Sequence, residues 1–135
     1  MQNVNITIGC DPELFAYSDP GKIAVSVHDL LPGTKWNPVK VPRGAIQVDG
    51  VAAEFNIEPA STENEFVQNI FHVRRLLDLV LSSKNQNLKL YATPCAFFDV
   101  NYFNNLPELT KALGCEPDFD AYTGKPNPKP KTDQP

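Results

Sequence analysis

One stretch constrains this chain more than any other: AIQVDGVAAEFNIEPA, residues 45–60, in which Asp49 and Gly50 separate two runs of alternating character. An Asp-Gly pair flanked by alternating apolar residues is the strongest short-range signal for a β-hairpin. With Asp49 and Gly50 as the turn, Val48 faces Val51, Gln47 faces Ala52, Ile46 faces Ala53 and Ala45 faces Glu54. Side chains alternate in direction along a strand, so Ile46, Val48, Val51, Ala53, Phe55 and Ile57 share one face. Ala45, Gln47, Ala52, Glu54, Asn56 and Glu58 share the other. The first face needs a cover, and the second, polar and left open by small alanines, is a working surface.

The cover follows directly. Pro59 ends the strand, and Thr62 with Glu65 three residues later forms a capping box. Phe66, Ile70, Val73, Leu77 and Val80 recur at alternating spacings of four and three, widened by Leu76 and Leu81, which predicts a helix of about six turns ending near Lys84. An antiparallel sheet with a long helix packed on one face is an α+β fold.

The rest of the chain supplies shorter pieces. Val4–Ile8, Glu13–Tyr17 and Ile23–Val27 read as strands, and Leu88–Thr93 and Cys95–Val100 as two more split by Pro94. Pro107–Leu113 reads as a short helix stopped by Gly114. Pro32, Gly33, Pro38, Pro42 and Gly44 predict an ordered loop from Leu31 to Gly44 with no regular element, and such loops often carry function. After Phe119 the sequence YTGKPNPKPKTDQP has almost nothing to bury. The expected organisation is one domain over 1–122 and a Pro/Lys-rich linker or tail over 123–135.

Charge and cysteine usage exclude several classes. A formal charge of −4 in 135 residues disfavours sequence-independent nucleic-acid binding, which needs a basic face, and an anionic membrane surface for the same reason. MQNVNITIG lacks the basic and apolar regions of a signal peptide, so the expected setting is the cytoplasm. Cys10, Cys95 and Cys115 are odd in number and widely spaced, which fits reduced thiols.

Chemistry in this sequence rests on carboxylates. Glu54, flanked by Asn56 and Glu58, lies on the polar hairpin face, and Asp11 with Glu13 stands at the mouth of another strand. Carboxylates and an amide on one open face suit a hard cation such as magnesium or manganese; the competing reading is acids that simply face solvent on an antiparallel sheet. Phe15 and Tyr17 share a face with Glu13 and would make an odd exposed surface. His28 and His72, the only histidines, have neither zinc-site spacing nor the partners of a nucleophile–base pair. PGTK at 32–35 lacks the spacing of a phosphate-binding loop, although Lys35 and Arg43 remain available to anionic groups or as plain surface charge.

Together, GCDPELF at 9–15, LPGTKWNP at 31–38, GAIQVDGVAAEFNIEPA at 44–60, the helix that follows and GCEPDFDAY at 114–122 resemble, in order over nearly the whole chain, the type-2 carboxylate-amine ligase family of phiEco32-like phages. That family is related to glutamate-cysteine ligase and glutamine synthetase. The resemblance implies the amino-terminal half of a cup-shaped antiparallel sheet lined by metal-binding carboxylates, with ATP and Mg2+ as cofactors and an amide formed from carboxylate and amine substrates through an acyl phosphate. By motif position it implies Glu13 and Glu54 as metal ligands. Asp11, Gln47 and Asn56 would line the cup, and Lys35 and Arg43 would lie near phosphate or substrate carboxylate.

Family members continue into a strand resembling RxGGHIH, which has no counterpart here. Three expectations follow: an amino-terminal portion of a ligase, a short protein that kept half the fold and uses it to bind proteins or modulate a host, or a site completed by two copies. Half a cup also leaves sheet edges uncovered, which favours a homodimer.

Overall fold

The computed structural model of the protein describes residues 6–18, 23–112 and 118–128. It is an α+β fold built on an antiparallel sheet. The strands are β1 (Glu13–Tyr17), β2 (Ala24–Val25), β3 (Val39–Val41), β4 (Gly44–Asp49), β5 (Ala52–Ile57) and β6 (Lys89–Tyr91); the helices are α1 (Glu63–Lys84), α2 (Val100–Asn104) and α3 (Glu108–Lys111). The path runs β2-β1-β5-β4-β3, and β6 pairs with β1 off this path. β1 is thus the hub: its first residues pair with β5 and its last with both β2 and β6.

The hairpin forms between β4 and β5, but two residues out of the expected register. Gln47 faces Glu54, Val48 faces Ala53 and Asp49 faces Ala52, so the turn is Gly50-Val51 rather than Asp49-Gly50. Gly50, at φ 57°, takes the first turn position, where positive φ favours glycine. A slip of two preserves which face each strand residue occupies, so only partners change. Val51 is the exception: placed in the turn, it leaves the expected apolar face and packs with Phe15, Ala52, Phe103 and Leu106.

α1 begins as the capping box dictates. Thr62 Oγ1 accepts a hydrogen bond from the Glu65 backbone N–H at 3.2 Å, while Glu65 Oε2 accepts from the Ser61 N–H at 2.8 Å. Val73, Leu77 and Leu81 are buried against Leu14, Ile46, Phe55 and Ile57. A polar anchor fixes the angle of the helix: buried Asn69 donates to the Glu58 carbonyl at 3.2 Å and accepts from Arg43 Nη1 at 3.3 Å.

The opposite face of β1 is covered differently. Phe15 and Tyr17 are not bare; with Ala24, Ala96, Phe103 and Leu106 they form a second apolar cluster. The segment that covers them corrects the expectation of a strand over Cys95–Val100. Residues 95–99 have no regular structure and lead into α2, whose cap is Asp99, with Oδ1 accepting from the Tyr102 N–H at 2.8 Å. Ala45 and Ala52, expected to leave the polar face open, are themselves buried, so the open part of that face is narrower than the alternation implied.

The proline-rich loop contains one strand after all. β3 pairs with β4 between Pro38 and Pro42, at the sheet edge where prolines lacking a ladder N–H are tolerated. The strand expected over Ile23–Val27 is only β2, the helix expected from Pro107 is α3, and Leu88–Thr93 yields β6. Of Val4–Ile8, residues 4 and 5 lie outside the described residues, and Ile8 forms an isolated bridge to Ala60. In the motif GCEPDFDAY, residues 114–117 lie outside them as well; Asp118 and Asp120 belong to a turn in which Asn127 N–H donates to Asp118 O and Asp120 N–H donates to Lys125 O. Among the described residues no helix is long and apolar enough to cross a membrane.

Candidate functional site

Three adjacent strands bring carboxylates together on the face opposite α1. The β1–β5 register sets Glu13 directly across from Glu54, and the β4–β5 register sets Gln47 on the other side of Glu54. Asp49, two residues beyond Gln47, points to the same face. Glu13, Asp49 and Glu54 each offer a carboxylate oxygen, all within 4.8 Å of one another. Their setting is graded: Glu13 is exposed, Asp49 half-buried and Glu54 buried.

A cation already leans on this cluster. Lys35 Nζ lies 2.7 Å from Asp49 Oδ2. It gets there because Gly33, at φ 83°, seats the 31–38 loop against β4; a Cβ at Gly33 would come within 2.8 Å of the Ile46 carbonyl oxygen. Thr34 then pairs in parallel with Val48, and Lys35 follows beside Asp49.

The electrostatics are those of anions crowded in a partly dry place. Desolvation raises the Glu13 pKa above the ordinary carboxylate value, repulsion from Asp49 and, more weakly, Asp11 adds to this, and Lys35 opposes it. Desolvation also raises Glu54, with repulsion from Asp49 and Glu13 reinforcing the shift, while a side-chain hydrogen bond from Gln47 and the charge of Lys35 counter it. Like charges held close favour retention of a proton.

The donor set fits a hard divalent cation. It consists of carboxylate oxygens with an amide beside them, and holds neither thiolate nor imidazole. Magnesium bonds its ligands at about 2.1 Å, so oxygens around one ion lie up to roughly 4.2 Å apart, within a small side-chain adjustment of the separation found.

The structure sorts the residues expected at the site. Glu13, Glu54, Gln47 and Lys35 come together. Asn56 shares their face two residues along β5, opposite Ala45. Asp11 is exposed just before β1, outside the cluster, and acts on it only through its charge. Arg43 is not brought to it: its guanidinium donates to Asn69 of α1, on the opposite side of the sheet. Reading Asp49-Gly50 as the turn hides Asp49 from the set of candidate ligands. Moving the hairpin register by two makes it a strand residue on the polar face, a shift for which the glycine-first turn Gly50-Val51 is the available sequence signal.

Lys35 and Asp49 also border a cavity of about 380 Å³ between the 28–36 segment, the hairpin tip and α3. Compared with known protein families, characterised proteins and solved structures, the chain matches none.

Proposed function

We propose that this chain carries the divalent-cation site of an ATP- and magnesium-dependent carboxylate-amine ligase, on a sheet equivalent to the amino-terminal half of a glutamine-synthetase-like cup. The observation that carries the reading is the convergence of Glu13, Asp49 and Glu54, from three adjacent strands, to within 4.8 Å. In this reading those three hold magnesium, and Gln47 orients Glu54 through its hydrogen bond. Magnesium, when bound, neutralises phosphate charge during phosphoryl transfer. Lys35, already at the rim, supplies an ammonium for a phosphate or substrate carboxylate, and the acids bind metal rather than attack.

The test is magnesium-dependent ATP turnover in the wild type and in Glu54→Ala. Loss of turnover with an unchanged circular dichroism spectrum supports the reading, and turnover insensitive to the substitution overturns the site. A second reading, a protein-binding module, is favoured by Val67, Phe71 and Leu79, which lie four and eight residues apart on the outer side of α1 and are 52%, 67% and 55% exposed. Complex formation abolished by Phe71→Asp, with no ATP binding at millimolar nucleotide, decides for it.

A further inference from the structure

We infer that the cavity at the hairpin tip is a ring-binding site, in which Trp36 and Leu109 hold a planar heteroaromatic group of nucleobase type. The cavity, about 380 Å³, falls in the size range of small-molecule pockets, which are mostly apolar with a few polar groups at fixed places. Its walls follow that plan: Val48 and Ala112 are apolar, and His28, Thr34 and the Lys35–Asp49 pair are the polar groups.

The two large apolar side chains lining it are nearly bare. Trp36 is 89% exposed and Leu109 87%, and they come from different elements, the loop before β3 and α3. An exposed indole with an aliphatic side chain from another wall offers one stacking face and one packing face, the arrangement that holds a flat base irrespective of its edge pattern. His28 and Thr34 line the same cavity, the His28 ring nitrogens being engaged with Ser26 Oγ at 3.3 Å and Asp29 Oδ2 at 3.0 Å.

The position of Asp49 gives the ligand a direction. It belongs both to the cavity wall and to the carboxylate cluster, so a ring in the cavity directs its substituent toward Glu13 and Glu54. A nucleoside with an anionic tail fits, its tail meeting the cation. The tail contact rests on the function proposed above; the ring contact does not.

Isothermal titration with adenosine, and with ATP in the presence and absence of magnesium, tests this on the wild type, Trp36→Ala, Leu109→Asp and Glu54→Gln. Adenosine is expected to bind without metal and to quench the fluorescence of Trp36, the single tryptophan. Trp36→Ala should weaken adenosine by about tenfold or more, since stacking on one aromatic contributes that much per base, and Leu109→Asp, which puts a charge on the packing face, should weaken it as well. Both residues are exposed, so thermal stability should hold. Glu54→Gln should leave adenosine untouched and remove only the gain from magnesium with ATP. Magnesium-dependent ATP binding unaffected by Trp36→Ala overturns the ring site while leaving the ligase reading intact. Adenosine binding that needs Trp36, without any magnesium-dependent gain for ATP, upholds the ring site and defeats that reading. No binding of either probe overturns the ring site.

Discussion

The two faces of the sheet begin from one alternating sequence and end with opposite properties. Beneath α1, Leu14, Ile46, Phe55, Val73, Leu77 and Leu81 are each at most 2% exposed. On the reverse side burial is divided: an aromatic cluster around Phe15, Tyr17 and Phe103 fills one end, and the carboxylates occupy the other. The first face gains free energy by excluding water, roughly 25 cal/mol for each Å² of apolar surface. The second holds like charges together in a partly dry place, which costs stability. Stability and chemistry are therefore separable by substitution.

The largest effect should come from the α1 face. Leu77→Ala removes a side chain with no exposed surface and should cost about 3 kcal/mol, read from the urea midpoint. Cation affinity of the molecules that remain folded should not change. A comparable stability loss in Glu54→Gln would break the contrast between faces, because neutralising a carboxylate whose pKa is raised should be neutral or stabilising near pH 7.

A smaller effect sharpens how the reverse face is assembled. Gly33→Ala places a Cβ 2.8 Å from the Ile46 carbonyl oxygen at φ 83° and should cost about 2 kcal/mol. Gly124, at φ 65° with nothing within 4 Å of its notional Cβ, is the internal control. Gly124→Ala should cost distinctly less, and equal thermal shifts would mean that the loop is not seated on β4 by close approach.

The smallest effect is a pH slope. Glu13 and Glu54 have raised pKa values in the folded state, so between the ordinary carboxylate value of 4.5 and those raised values the folded protein binds more protons than the unfolded chain. Stability then falls as pH rises through that window. The double variant Glu13→Gln, Glu54→Gln should lose this part of the slope in urea midpoints measured from about pH 4 to pH 8. An unchanged slope would mean that neither desolvation nor mutual repulsion raises these acids in the folded state.

How much of this was legible in the sequence differs between the two faces. Local signals determined the α1 side: the Thr62 cap, the spacing from Phe66 to Leu81 and the alternation of β4 and β5 need only neighbours within one or two turns. Glu13 and Glu54 were readable for the same reason, since alternation puts each on the polar face of its strand. What was missed depends on distant contacts. The hairpin register, and with it the place of Asp49 beside Glu54, is decided by how β4 and β5 pair over their full length rather than by the Asp-Gly pair alone. β3 exists because β4 offers it an edge, and residues 95–99 lie over the Phe15 and Tyr17 cluster through Ala96 and Phe98 without forming a strand. Arg43 carried the right charge for an anion site, but Asn69 holds it on the other side of the sheet.

The central claim, that Glu13, Asp49 and Glu54 form one cation site, is tested most directly by titrating manganese into the wild type and Glu54→Gln while following the fraction of free ion by electron paramagnetic resonance. The account predicts one saturable site in the wild type, weakening as pH falls and the carboxylates take up protons, and no specific binding in Glu54→Gln. Manganese binding of equal strength in the two proteins, or absent from both, would contradict it.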